Sequence, residues 1–248
     1  MVGGVQGKSV LPEQQISAAN THFLIKELAS AHLLRGQSRF VAILLPVRYS
    51  GRIMGATQDP QSERESLTTR VDWETGILSG SGIEQSTKLL GQLAGIFQDA
   101  TSWSKMDPAT PVYRVQYWKP VPDGTSGGLF WGNSEVLPGK VGNEYFMTKG
   151  HLHAQLDRAE YYATVCGEGF LLLMDLRRKT TCLEMRPGSV HYIPGATVHR
   201  VVNSGKAPLR FLACWCSDAG YNYKPVEEYG FSVRIFEVDG KPAIVPQL

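Results

Sequence analysis

The chain has 248 residues, 42% of them hydrophobic, and a formal net charge of +2, which is enough apolar material for one large domain or two small ones. No basic run interleaves with aromatic residues, so a nucleic-acid groove is not expected. No apolar run approaches the ~18 residues of a membrane span, and Met1 to Gly4 lack the charged and apolar regions of a signal peptide, so a cytoplasmic protein is expected.

The first ten residues are small and polar and are expected to be disordered. From Pro12 to about Leu34, the positions Ile16, Ala19, Phe23, Leu24, Leu28 and Ala31 recur at helical spacing and predict an amphipathic helix ending near Gly36. Phe40 to Val47 reads as a strand despite Pro46, and Gly55 to Arg64 as a loop. His22 and His32 sit in the helical stretch without partners and are assigned to surface or packing. The single apolar stripe of this helix must cover something, so a packing extension is expected.

Ser81-Gly82-Ile83-Glu84 has the pattern of a capping box. It precedes Leu89, Leu90, Leu93, Ile96 and Phe97, and together they predict a helix from about Ile83 to Gln98. Pro111 to Trp118, Gly128 to Val136 and Glu144 to Thr148 then read as strands separated by Gly and Pro turns.

Next comes Gly150-His151-Leu152-His153. Successive strand residues point to opposite faces, so His151 and His153 leave from one face and Leu152 from the other. A solvated strand can also carry two histidines, so the pair gains meaning only with Glu160 and His199 downstream. Glu160 lies an odd number of residues after His153, so a plain strand would put it on the wrong face. A bend within Ala154 to Ala159 is therefore expected. Gly167-Glu168-Gly169 reads as a hairpin turn joining Tyr161–Cys166 to Phe170–Leu176, and Pro187-Gly188, Pro194, His199 and Asn203 come after it. Alternating turns and strands close a small antiparallel barrel and bring a distant histidine into its interior. His151, His153, Glu160 and His199 then form a metal site with positions left open for water or substrate. Its nitrogen and oxygen donors suit one divalent ion, Fe, Mn, Ni or Zn. Cys166, Cys182, Cys214 and Cys216 lack the second pair or nearby His that a tetrahedral set needs, and are expected to be reduced and packed in strands.

Two blocks, Gly150, His151, His153, Glu160 and Gly167, then Gly188, Pro194, His199 and Asn203, resemble the paired motifs of the cupin superfamily. The His-to-Glu gap is longer than in most cupins, and Ala196 stands where the second motif usually has glycine. The longer gap, in Thr148-Lys149-Gly150-His151-Leu152-His153 and Leu156-Asp157-Arg158-Ala159-Glu160, closely resembles the cupin-type phosphoglucose isomerases. So do Leu137 to Phe146 upstream and Asp218-Ala219-Gly220 downstream. The likeness runs from about Val71 to residue 240.

The resemblance implies a mainly β protein, with a cupin (jelly-roll) barrel domain over residues 69–248 and a helical extension over 1–68. It implies a metal-dependent aldose–ketose isomerase acting on glucose 6-phosphate and fructose 6-phosphate, with Glu160 as both ligand and candidate base. Proton transfer and a metal-assisted hydride shift both remain open as its path. Ser134, Thr148 and Gly150 would meet the phosphate, with the charge of Lys149 nearby. Tyr113, Tyr162 and Tyr223 would line the sugar pocket. Tyr221 stands where the family has a histidine, and Trp215 where it has a tyrosine near the phosphate. His191, on the strand before the second motif, could substitute for the missing histidine or be an ordinary half-buried strand residue. A homodimer built by strand exchange is implied as well. The same ligand set also serves cupin oxygenases, and the two replaced residues leave room for a non-catalytic sugar-phosphate binder.

Overall fold

The computed structural model describes residues 67–247, so the helix, strand and loop expected before Arg64, with His22 and His32, lie outside the described residues. Among the described residues fifteen strands are arranged in four sheets. Short strands β1 (Arg70–Val71) and β2 (Leu78–Ser79) form a hairpin. Its turn is fastened by Asp72 Oδ1, which accepts from the Glu74 and Thr75 amides at 2.9 and 3.3 Å. Among the described residues no helix is long and apolar enough to cross a membrane.

The larger face of the barrel is a six-stranded antiparallel sheet. In spatial order it holds β11 (Val190–Ile193), β8 (Glu160–Cys166), β13 (Leu209–Cys216), β5 (Leu129–Val136), β4 (Pro111–Trp118) and β3 (Ile83–Leu89). Opposite it stand the sheet β10 (Thr180–Met185), β9 (Gly169–Met174), β12 (Val198–Asn203) and a four-stranded sheet. The latter is built from β15 (Lys241–Pro246), β14 (Val233–Val238), β7 (Glu144–Tyr145) and β6 (Lys140–Val141). Val136, Leu171, Val201, Leu209 and Phe211, none more than 1% exposed, belong to one apolar core. Each such side chain contributes roughly 1.5–3 kcal/mol of burial.

The helix expected over Ile83 to Gln98 is not there. Ile83–Leu89 is a strand paired along its length with β4, followed by a single 3-10 turn at Leu90–Leu93. Seven residues of ladder bonding outweigh the weak local helical preference of this polar segment. The apolar set is buried all the same: Leu90, Leu93, Ile96 and Phe97 all enter the core. Ser81-Gly82 is a turn, with Gly82 at φ +72°, rather than a helix cap.

Two further expectations need correction. Gly167-Glu168-Gly169 is a turn, but β8 and β9 are not hairpin partners: β8 pairs with β11 and β13, and β9 with β10 and β12. The turn carries the chain from one sheet to the other. Gly167, at φ +83°, packs so closely on the Pro208 carbonyl that no Cβ fits. Glu144 to Thr148 forms only the two-residue β7, continued by a single bridge between Met147 and Val202. Glu144 is fully buried and accepts from Arg234 Nη1 at 2.6 Å and from the Gln98 amide at 2.7 Å. Asn203 is also fully buried, and it staples the following turn. Its Nδ2 donates to the Val136 and Ala207 carbonyls, and its Oδ1 accepts from the Gly205 amide.

Candidate metal centre and substrate cavity

Residues 146–153 run beside β12. The His151 amide donates to the His199 carbonyl at 3.1 Å, and the His199 amide donates back to His151 at 2.9 Å. Two residues that exchange both bonds lie directly opposite one another, so their side chains share a face; the two rings are 4.3 Å apart. This close approach depends on Gly150, at φ +76°, where a Cβ would stand 2.9 Å from the His199 carbonyl oxygen. Leu152 points the other way, into the core, as the alternation requires.

After His153 the chain bends through residues 154–159 and crosses to the opposite sheet, where Glu160 opens β8. Glu160 Oε2 lies 3.2 Å from both His153 Nε2 and His199 Nε2. One ligand atom from each of His151, His153, Glu160 and His199 falls within 4.8 Å of the others. The expected bend therefore returns the carboxylate to the histidines.

These residues fit a metal ion. His151 Nε2 and His199 Nε2 are buried without a hydrogen-bond partner, although the latter lies 3.2 Å from Glu160 Oε2. Leaving two such nitrogens unsatisfied is costly, and a shared cation removes the cost. The opposite ring nitrogens are already committed. His153 Nδ1 donates to the Arg158 carbonyl at 2.9 Å and His199 Nδ1 to the Thr197 carbonyl at 3.2 Å, so both Nε2 lone pairs face the centre. Burial, reinforced by the neighbouring rings of His199 and His153, holds His151 well below the ordinary imidazole range, in its neutral ligating form. Burial alone would raise the Glu160 carboxyl, but hydrogen bonds and positive charge from His153 and His199 lower it when their Nε2 atoms carry protons, the protons that a bound cation would replace.

The cluster opens into a cavity of about 340 Å³. The four ligand candidates read from the sequence line it with Tyr113, Ser134, Thr148, Gly150, Tyr162, Trp215, Tyr221 and Tyr223. Ser86, Lys88, Val115, Tyr117, Lys119 and Ala213 line it too, and the sequence singles out none of them. The expectation of a helix hid Ser86 and Lys88, whose strand alternation sends them inward.

The tyrosines are held as neutral phenols. Burial raises Tyr162 well above its ordinary value and the adjacent Glu160 charge adds to the shift, while burial pushes Tyr113 up to about 12. Tyr221 and Tyr223 stack nearly parallel at 6.1 Å, and Tyr221 meets the His151 ring edge-on at 4.9 Å. Burial and the Glu160 charge also raise Tyr221, so it cannot titrate near neutrality as a histidine would. Trp215 sits edge-on to Phe130 at 5.8 Å. His191 is not in the cavity lining; it is buried against Ser189, with Nε2 2.9 Å from the hydroxyl, so it does not replace the missing histidine.

Residues 87–244 match the family model described as glucose-6-phosphate isomerase (GPI). The chain belongs to this family. It is 37% identical to the glucose-6-phosphate isomerase of Thermococcus litoralis over 186 residues, covering 73% of this chain and 94% of that one. The Pyrococcus furiosus enzyme is also 37% identical, over 73% of this chain and 95% of its own, and that of Sinorhizobium medicae is 36% identical, over 71% and 83%. Among solved structures, an oxalate oxidase in complex with glycolate aligns with a TM-score of 0.40 at 16% identity, covering 75% of this chain and 78% of that one. In this member of the isomerase family, His151, His153, Glu160 and His199 form one cluster that could hold a metal ion, and Tyr221 and Trp215 line the cavity it opens into.

Proposed function

We propose that the protein is a metal-dependent glucose-6-phosphate isomerase, interconverting glucose 6-phosphate and fructose 6-phosphate in the cytoplasm. The observation that carries this proposal is the convergence of His151, His153, Glu160 and His199, with two orphaned buried nitrogens, on a cavity of sugar-phosphate size. Fe, Mn, Ni and Zn all suit the donor set, and availability selects among them.

A bound divalent ion supplies Lewis-acid stabilisation to neighbouring oxygens of an open-chain sugar. Glu160 moves the proton between C1 and C2: its Oε2 is turned toward the imidazoles, leaving Oε1 for the exchange. Tyr162, neutral and beside Glu160, donates to a sugar oxygen, and Tyr221, Tyr223 and Tyr113 pack their rings on the carbon chain. Ser134, Thr148 and Gly150 meet the phosphate, and Trp215 closes the wall. The barrel over residues 69–248 is the catalytic domain. A homodimer belongs to the same proposal, supported by the exposed apolar residues Val190 and Tyr192 on edge strand β11 and Tyr161 beside them.

Incubating the metal-loaded protein with fructose 6-phosphate in D₂O tests both the activity and the path. Glucose 6-phosphate carrying deuterium at C2 is the expected product. Unlabelled product would replace proton transfer with a hydride shift, and no product at all would remove the isomerase assignment.

A further inference from the structure

Three lysines line the cavity, and two are already engaged. Lys149 Nζ pairs with Glu227 at 2.6 Å and lies 4.5 Å above the Tyr223 ring. Lys119 Nζ pairs with Asp123 at 3.1 Å and rests over the Tyr117 and Phe130 rings. Lys88 is half-buried, and among the described residues its ammonium has neither an ion pair nor a hydrogen bond. Ser134 Oγ likewise has no partner among them, and Thr148 Oγ1 accepts from the Val201 amide, so its proton is free to donate. A half-buried cation and free hydroxyl donors lining one cavity have the composition of an anion site.

Strand register places this group away from the metal cluster. Ser86, Val115 and Ser134 form one cross-strand row, and Lys88, opposite Tyr113, lies one inward step beyond it. Glu160 belongs to the row of Trp215 and Phe130, four residues from Ser134 along β5. At ~3.3 Å per residue the Ser134 row is about 13 Å, and the Lys88 row about 20 Å, from the Glu160 row at the backbone, and side chains reach in from both ends. An extended ligand fits, with metal-seeking oxygens at one end and an anion at the other.

We propose that Lys88, rather than Lys149, is the cation that binds the phosphoryl group of the substrate, with the Ser134 and Thr148 hydroxyls donating beside it. The identity of the ligand as a sugar phosphate rests on the isomerase proposal; the anion subsite does not. Lys88 is a binding and specificity residue and takes no part in the proton transfer.

The test measures inorganic phosphate binding by calorimetry, and kcat and KM for fructose 6-phosphate, on the full-length metal-loaded chain and its Lys88→Met and Lys88→Arg variants. Methionine keeps the aliphatic stem, and a thermal melt checks that each variant folds. Lys88→Met is expected to weaken phosphate binding and raise KM by about tenfold or more, leaving kcat within about threefold, while Lys88→Arg stays close to the parent. Should Lys88→Met fail to fold, the arginine variant and a Lys88→Gln variant decide the matter by the same comparison. Phosphate binding within about twofold of the parent in a folded neutral variant overturns the proposal. Lys88-dependent phosphate binding without any turnover would leave the subsite standing and remove the isomerase assignment.

Discussion

His153 Nδ1 donates to the backbone carbonyl of Arg158 at 2.9 Å, and the Arg158 guanidinium in turn forks onto both Asp218 oxygens at 2.8 Å. The ring orientation of one proposed metal ligand therefore depends on an ion pair between the 154–159 bend and the segment after β13. Partners that orient ligating imidazoles contribute about 10- to 100-fold in metal affinity. Arg158→Ala or Asp218→Asn is expected to lower affinity toward that range, read by competition with a chelator of known strength, while the fold persists.

Ala196 holds a left-handed backbone, φ +55°, in the turn before β12. A non-glycine residue there costs roughly 1–2 kcal/mol, offset in part by the greater chain entropy of glycine when unfolded. Ala196→Gly should therefore raise stability by up to about 1 kcal/mol in denaturant unfolding, with no change in cavity-lining residues.

The Glu144 carboxylate is fully buried against Arg234. Removing one partner strands the other charge, so Arg234→Met is expected to destabilise by about 3–5 kcal/mol. The double change Glu144→Leu with Arg234→Met should cost much less. A double-variant loss equal to the sum of the separate Glu144→Leu and Arg234→Met losses would show that the pair is not coupled.

Glu135 sits between Arg114 and Arg210 on the outer face of the sheet. Partial burial would raise its pKa, but the two guanidinium groups outweigh burial and lower it. A folded value below the unfolded one means that the stabilisation is complete above about pH 4.3, the ordinary glutamate value. It is lost as pH falls through the folded value. Glu135→Gln is expected to flatten the acid side of the stability profile and leave neutral pH with a nearly constant offset.

The sequence makes much of the proposed metal centre legible because its geometry is local. Two histidines two apart on extended chain share a face whatever surrounds them, and the parity of Glu160 demands the bend observed at 154–159. Sheet pairing is not local, and it stays hidden. Nothing within Ile83–Leu89 announces that β4 will pair with it, so the apolar run after it suggests a helix and leaves Lys88 out of the site. The Gly167 turn is legible as a turn, but which strands it serves depends on β13 and β12, dozens of residues away. His191 matches a possible role in chemistry, yet only the tertiary structure shows it turned to Ser189.

The central claim is that these four side chains hold a metal on which isomerase activity depends. The most direct measurement is the conversion of fructose 6-phosphate to glucose 6-phosphate by metal-stripped protein, before and after adding Mn²⁺, Fe²⁺, Ni²⁺ or Zn²⁺, beside a His153→Ala control. The expected result is activity that appears with at least one ion and is lost in His153→Ala. Full activity in the stripped protein, or no activity despite one bound ion per chain, would contradict the claim.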